Sequence, residues 1–478
     1  MSDSRKKSDR MAKQQSPGRR AASAKDDWKP SSWRSKPVAQ EVVYPDPKAL
    51  DDVLVRVTRL PPLVTSWEVE TLKGQLADAA RGERFLLQGG ACAEAFADCQ
   101  SAVITNKLKI LLQMSLVLCY GCRKRVINVG RFAGQYTKPR SSDTETRDGV
   151  TLPSFRGCNI NRPGFTEEDR TPDPTLLLRG YERAAMTLNF IRSLVESGFA
   201  DLHHPEYWDI DFFSESPQAR EYQKIVESIG DSVQFMETIS GTNVDKLSRV
   251  EFFTSHEALH LPFEQARTRQ VPRRKLWYNL NTHFPWIGNR TRSPDGAHVE
   301  YCRGIGNPVG MKIGPSISAE ELLELAEILN PDNAPGRLTL IHRFGADKID
   351  ACLPPLIEAI RGAGKVVLWC CDPMHGNTVE TRQGVKTRSF DDILDELEHA
   401  LEIHQSSGSI LGGVHCELTG EHVTECTGGA RQLSDADLST AYKSQVDPRL
   451  NYEQALEMAL RIARRMRLNS RGPSITVV

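Results

Sequence analysis

Residues 364–377 read GKVVLWCCDPMHGN, and the fold is decided by how this stretch is read. Lys365 to Cys371 is a short β-branched and aromatic run that stops abruptly at Asp372-Pro373, as a fully buried strand does on meeting a loop. His375 follows at once, between Met374 and a Gly376-Asn377 turn. That position lies just past the carboxyl end of the strand, where α/β barrels and open α/β sheets keep their sites. A histidine in a turn is more often a solvated surface residue, so its weight depends on how the other strands end.

Working outward, short apolar runs ending in polar or glycine residues alternate with longer helical patterns from Glu83 onward. The predicted strands are Phe85–Gln88, Arg125–Val129, Glu251–Thr254, Leu276–Asn281, Val309–Ile313, Leu338–His342, Val366–Cys371 and Val414–Leu418, with Leu202–His204 a rival for the third. Predicted helices Asn106–Leu118, Ala319–Leu329, Ile349–Arg361 and Phe390–Gln405 fall between several of them. This alternation predicts a parallel (β/α)8 TIM barrel, an α/β fold, over residues 83–464. Pro174–Lys246 exceeds one crossover helix and is expected to be an inserted helical pair.

Before the barrel, residues 1–27 form a basic tail without apolar periodicity. Residues 28–82 are expected to be an extended arm, WKPSSWRSKPVAQEVVYPDP, followed by helices at Ala49–Leu60 and Ser66–Arg81. Tyr452–Met466 is the last predicted helix, and residues 465–478 are expected to be a tail, with Leu468–Val478 fraying. At 478 residues the chain suits one barrel of about 250 residues carrying insertions. A formal net charge of -1 gives no global field toward nucleic acid or an anionic membrane. No apolar run reaches the roughly 20 residues of a membrane span, and no apolar segment follows the basic N-terminus. Eleven irregularly spaced cysteines fit free thiols in a reducing compartment. These features fit a cytoplasmic bacterial protein better than a plastid-targeted one.

The predicted strand ends carry Gln88-Gly89-Gly90 with Cys92, Arg131, His256-Glu257, His283, Lys312, Arg343, His375 and Glu417. In a barrel these positions converge on one mouth. Arg131, Lys312, Arg343 and the Arg290/Arg292 pair would make a cationic cup for phosphate and carboxylate. Cys92, His375 and Glu417, with an acid such as Asp447, form a mixed S/N/O set that suits a divalent transition metal better than Mg²⁺ or Ca²⁺. Each residue also has a plainer reading. A lone arginine or lysine is more often in a surface ion pair, and a free cysteine is more often a buried apolar residue. Of Cys370 and Cys371, at most one can face the barrel interior. Glu417 is harder to dismiss, because a carboxylate in an apolar strand is costly unless paired or metal-bound.

The blocks LLQGGACAEAF, NVGRFAGQYTKPRSSD, TSHEAL, WIGNRTR, NPVGMKIGP, GRLTLIHRFG, CDPMHGNT, HCELTGEHVTECTGG and DPRLN, with SSWRSKP and YPDP near the start, closely resemble type II 3-deoxy-D-arabino-heptulosonate 7-phosphate (DAHP) synthases. The likeness runs from about Trp28 to about Arg464. It implies a barrel with added helices, and condensation of phosphoenolpyruvate with erythrose 4-phosphate at the head of the shikimate pathway. Carried over residue by residue, it makes Cys92, His375, Glu417 and Asp447 ligands of a Mn²⁺- or Co²⁺-type ion. Arg131, Lys312 and Arg343 match residues that hold phosphoenolpyruvate, and Arg290 one that meets phosphate. Lys138, Arg140 and Ser141 match the aldose phosphate site, Asn289 falls in the substrate-binding block, and Glu257 lies among the active-site carboxylates; Lys312, Arg131 and Glu257 are the expected catalytic residues. A homo-oligomer is expected, and an aromatic amino acid effector or a chorismate mutase partner would be in keeping with the likeness.

Two departures stand out. The family pattern usually reads GGDCAE where this chain has Gly90-Ala91-Cys92, and WIGERTR where it has Asn289. Both remove a carboxylate near the expected site, and His342 stands where a small polar residue is expected. These differences keep two alternatives open: a paralogue of secondary metabolism taking another aldehyde, or a non-catalytic regulatory homologue.

Overall fold

Eight parallel strands close into a barrel in the computed structural model, which describes residues 27–197, 199, 220–228, 250–272 and 274–469. They are β1 (Arg84–Gly90), β2 (Arg125–Arg131), β3 (Phe252–Glu257), β4 (Phe284–Ile287), β5 (Val309–Ile313), β6 (Leu338–His342), β7 (Leu368–Cys371) and β8 (Leu411–Glu417). Each pairs with its sequence neighbours, and β1 pairs with β8 to close the ring. The predicted (β/α)8 architecture holds. All eleven cysteines are free.

The fourth strand differs from the one the sequence predicts. Leu276–Asn281 predicts a barrel strand, but Trp277–Asn279 instead pairs antiparallel with Thr268–Gln270 in a peripheral hairpin, and the barrel takes Phe284–Ile287. Both runs are aromatic and apolar, and alternation alone cannot tell a hairpin edge from a buried strand. His283 therefore precedes β4 rather than following a strand. Its Nδ1 accepts a hydrogen bond from the Thr254 backbone N–H at 2.9 Å, which removes it from the mouth.

Inside the barrel, Leu86, Ile127, Val129, Phe253, Phe284, Trp286, Ile341 and Cys370 form one apolar cluster. Cys371 belongs to the outer core, as strand alternation requires. Leu72, Leu76 and Ala79 of helix α2 (Ser66–Ala80), which follows helix α1 (Pro47–Arg59), join the inner cluster and close the amino-terminal end of the barrel. Helix α2 starts with a capping box: the Thr65 hydroxyl accepts from the Glu68 N–H, and the Glu68 carboxylate accepts from the Thr65 N–H.

Helix α3 (Ser101–Cys122) is long and apolar enough to cross a membrane, although Lys107 and Lys109 interrupt its apolar run in the sequence. It is instead a core helix, buried against the barrel and the helix Tyr452–Asn469. The arm packs on the body. Trp28 Nε1 donates to Glu300 O at 2.9 Å, and Trp33 Nε1 donates to Gln265 Oε1 at 3.0 Å. Of the expected insertion, Thr175–Glu196 and residues 220–228 are helical. The rival strand Leu202–His204, residues 1–26 of the tail and residues 470–478 lie outside the described residues.

Candidate active site

The carboxyl ends of the strands gather most of the residues singled out from sequence. Cys92 Sγ lies 3.6 Å from Asp447 Oδ2, and donor atoms of Cys92, Glu417 and Asp447 all fall within 4.8 Å of one another. His375 joins this group through Glu417, with Nε2 at 3.0 Å from Oε1. Three donors up to 355 positions apart along the chain thus meet at the mouth, with His375 adjoining them at Glu417.

The electrostatics at His375 point to a cation. Its Nδ1–H donates to Asp372 Oδ1 at 3.0 Å. Burial lowers the His375 pKa against the opposing pull of Asp372 and Glu417. Its Nε2 faces the Glu417 carboxylate, and two such atoms about 3 Å apart match the spacing of adjacent ligands of an ion bound at roughly 2.1 Å. Burial also pushes the Cys92 thiol up to about 12, with Glu417 and Asp447 adding to the rise. A metal has to displace that proton to use the sulfur. Sulfur, imidazole and two carboxylates together fit a transition-type divalent ion.

Basic residues compensate the acids. Arg131 Nη2 donates to Glu417 Oε1 at 2.9 Å and to Cys92 O at 3.1 Å, while Nε donates to Ala91 O at 3.1 Å. Arg131 Nη1 donates to His415 Nε2 at 2.6 Å. Lys138 Nζ lies 2.8 Å from Cys92 Sγ and 2.5 Å from Asp447 Oδ2. Lys312 Nζ pairs with Asp372 Oδ2 at 2.9 Å, and Arg343 Nη2 donates to His375 O at 2.5 Å. The exposed Arg290 guanidinium acts electrostatically on Glu257 and Arg343.

Glu257 closes one side of the mouth. It is buried, its Oε1 has no hydrogen-bond partner among the described residues, and burial raises its pKa. Gly288 makes room for it: a Cβ there would stand 2.0 Å from Glu257 Oε1. Asn289 Oδ1 accepts from Arg292 Nε at 3.2 Å, and Arg292 also pairs with Glu321, so Arg292 is spent on structure. Arg140 is half-buried on the other side, its guanidinium paired with Glu145 Oε1 at 2.8 Å and its backbone N–H donating to Gln40 Oε1 at 2.7 Å. Ser141 is exposed beside it. Lys138 lies inside the donor group, apart from Arg140 and Ser141 in its contacts.

Three residues of the site went unread in the sequence. Asp372 registers there only as a strand terminator, yet it is fully buried and joins Lys312 to His375. Arg388 lies in a short hairpin with no motif, and its Nη1 donates to Glu417 Oε2 at 2.8 Å and to Pro448 O. His415 stands two residues before Glu417 on the same face of β8, and that two-residue spacing was the available signal. His342 points away from the mouth, its ring stacked with Phe344 at 5.7 Å between centroids.

A parallel barrel whose mouth combines a buried sulfur, nitrogen and carboxylate donor group with clustered arginine and lysine defines an enzyme of metal-assisted chemistry on anionic substrates. Residues 28–463 match the model of the Class-II DAHP synthetase family. The chain is 48% identical over 452 residues to a phospho-2-dehydro-3-deoxyheptonate aldolase of Neurospora crassa, covering 91% of this chain and 94% of the relative. A protein of the same name from Streptomyces coelicolor is 48% identical over 433 residues, covering 91% and 96%. Another from Mycolicibacterium smegmatis is 43% identical over 440 residues, covering 91% and 93%. The chain belongs to the Class-II DAHP synthetase family. These are metal-dependent DAHP synthases, which act on phosphoenolpyruvate and erythrose 4-phosphate. The relatives span two bacteria and a fungus, so they do not single out a bacterial source.

Proposed function

We propose that the chain condenses phosphoenolpyruvate with erythrose 4-phosphate using Cys92, His375, Glu417 and Asp447 as donors to Mn²⁺ or Co²⁺. Arg131, Lys312 and Arg343 hold phosphoenolpyruvate, Arg290 meets phosphate beside Asn289, and Arg140 and Ser141 take the aldose phosphate together with Lys138, which leaves its Cys92 and Asp447 partners to do so. The observation that carries this reading is the convergence of Cys92, Glu417 and Asp447 at the edge of the cationic mouth, with His375 against Glu417.

When bound, the divalent ion supplies Lewis acidity at the aldehyde oxygen. The chain's own residues bring two anions together and hold them against their repulsion. Arg131 has five N–H donors, of which Ala91 O, His415 Nε2, Cys92 O and Glu417 Oε1 take four, so it offers substrate one. Lys312 stays close to its Asp372 partner and presents a single ammonium. Once C3 of phosphoenolpyruvate has attacked the aldehyde, water adds at C2 and inorganic phosphate leaves. We assign to Glu257, whose Oε1 is unpartnered among the described residues and whose pKa is raised by burial, the uptake of the proton that water gives up.

Purified protein with Mn²⁺ or Co²⁺ is expected to release phosphate from phosphoenolpyruvate only when erythrose 4-phosphate is present; no turnover with any divalent metal rejects the reading. A second reading, a different aldehyde substrate, draws on Asn289, which lies against Arg292 without a carboxylate's charge. It requires a higher kcat/KM for another aldehyde than for erythrose 4-phosphate. Family likeness further supports a cytoplasmic homo-oligomer, with aromatic-effector binding or subunit contact at the inserted helices and a chorismate mutase as a candidate partner.

A further inference from the structure

The block HCELTGEHVTECTGG contains a residue that the donor group does not use. Glu425 is fully buried and accepts five hydrogen bonds. Its Oε1 accepts from the backbone N–H of Lys443 at 3.1 Å and of Ser444 at 2.8 Å, and from Arg449 Nη2 at 2.7 Å. Its Oε2 accepts from the Arg449 backbone N–H at 2.8 Å and from Arg449 Nε at 2.9 Å. These contacts fall on both sides of Asp447.

Residues 441–449 contain no helix or strand, so their backbone groups need partners from elsewhere. Glu425 supplies them at both ends of the segment. Within it, Ser444 Oγ donates to Asp447 O at 2.6 Å, and Arg388 Nη1 donates to Pro448 O on the same side chain that holds Glu417. The loop donor is thereby tied to a strand donor through buried charge pairs, whereas an untethered loop would carry Asp447 over many positions.

We propose that Glu425 is a positioning residue of the metal centre. Together with Arg449 it fixes the 443–449 segment so that Asp447 reaches Cys92 and Glu417, and it thereby sets metal affinity without touching the ion. This rests on the reading of Asp447 as a donor. Residues that orient donors in this way change metal affinity roughly 10- to 100-fold when altered.

The test is a Mn²⁺ titration of the full-length chain, with free Mn²⁺ read by electron paramagnetic resonance, for wild type, Glu425→Gln, Asp447→Asn and the double variant. Glu425→Gln leaves one flank without its acceptor and is expected to raise the Mn²⁺ Kd about 10- to 100-fold. In the Asp447→Asn background the same change is expected to add nothing, because the donor it positions is gone. Unchanged affinity in Glu425→Gln, or an equal loss in both backgrounds, overturns the proposal. Wild-type affinity in Asp447→Asn overturns the donor assignment itself, which is a separable result. Should Glu425→Gln fail to fold, Arg449→Lys keeps the buried charge balanced while losing the fork, and the same dependence on Asp447 is required of it.

Discussion

Arg131 Nη2 and Glu417 Oε1 lie 2.9 Å apart although their strands are not neighbours: Gly90, on β1 between them, is in register with both. With no side chain at 90, the guanidinium and the carboxylate meet across the intervening strand. A Cβ on Gly90 would stand 2.9 Å from Arg131 O, and its φ of 143° is one that L side chains rarely adopt. Gly90→Ala is therefore expected to lower stability by more than about 1 kcal/mol, read by urea denaturation, and to weaken Mn²⁺ binding.

Arg131 itself is expected to be irreplaceable by lysine. A lysine keeps the charge but cannot reach Ala91 O, Cys92 O, His415 and Glu417 together. Losing hydrogen bonds to charged groups costs about 1.5–3 kcal/mol each, so Arg131→Lys should lower kcat/KM for phosphoenolpyruvate at least roughly tenfold. Steady-state kinetics with the second substrate saturating check this.

Loading the chain with Co²⁺ should produce near-ultraviolet absorption from sulfur-to-metal charge transfer, because Cys92 joins the donor group. Cys92→Ser should abolish that band and weaken Co²⁺ binding. A band that survives the substitution means another thiol binds the metal.

Asp372 orients His375 and balances Lys312. Asp372→Asn removes the charge while keeping the shape. Metal affinity and kcat are each expected to fall roughly 10- to 100-fold, measured by Mn²⁺ titration and phosphate release.

Glu396 accepts hydrogen bonds from the Phe344 backbone N–H at 2.7 Å and from Asn377 Nδ2 at 2.9 Å, joining the loops that follow β6 and β7. Burial raises its pKa from 4.5 to about 7. The folded state therefore holds a proton that the unfolded state releases between those values. The contribution is fully present below about 4.5 and is lost as pH rises through about 7. Urea denaturation at pH 5 and pH 8 should show wild type losing up to about 3 kcal/mol relative to Glu396→Gln over that interval. An equal pH response in the two proteins contradicts the assignment.

The sequence alone determined the barrel, seven of its eight strands, and the types of residue at the mouth. Short buried runs ending in turn residues and separated by helical spacing have few other solutions, and a carboxylate such as Glu417 in an apolar strand demands a partner. The fourth strand escaped because Leu276–Asn281 and Phe284–Ile287 are both rich in aromatic and apolar residues, and only pairing with β3 and β5 selects between them. Asp372, Arg388 and Glu425 escaped for a related reason. Each acts through contacts with residues brought near by the fold, and a buried ion pair leaves no periodic trace in the chain. Whether Lys138 joins the donor group, and whether Arg292 is free or tied to Glu321, was likewise decided only by tertiary structure, because the length and flexibility of these side chains allow either.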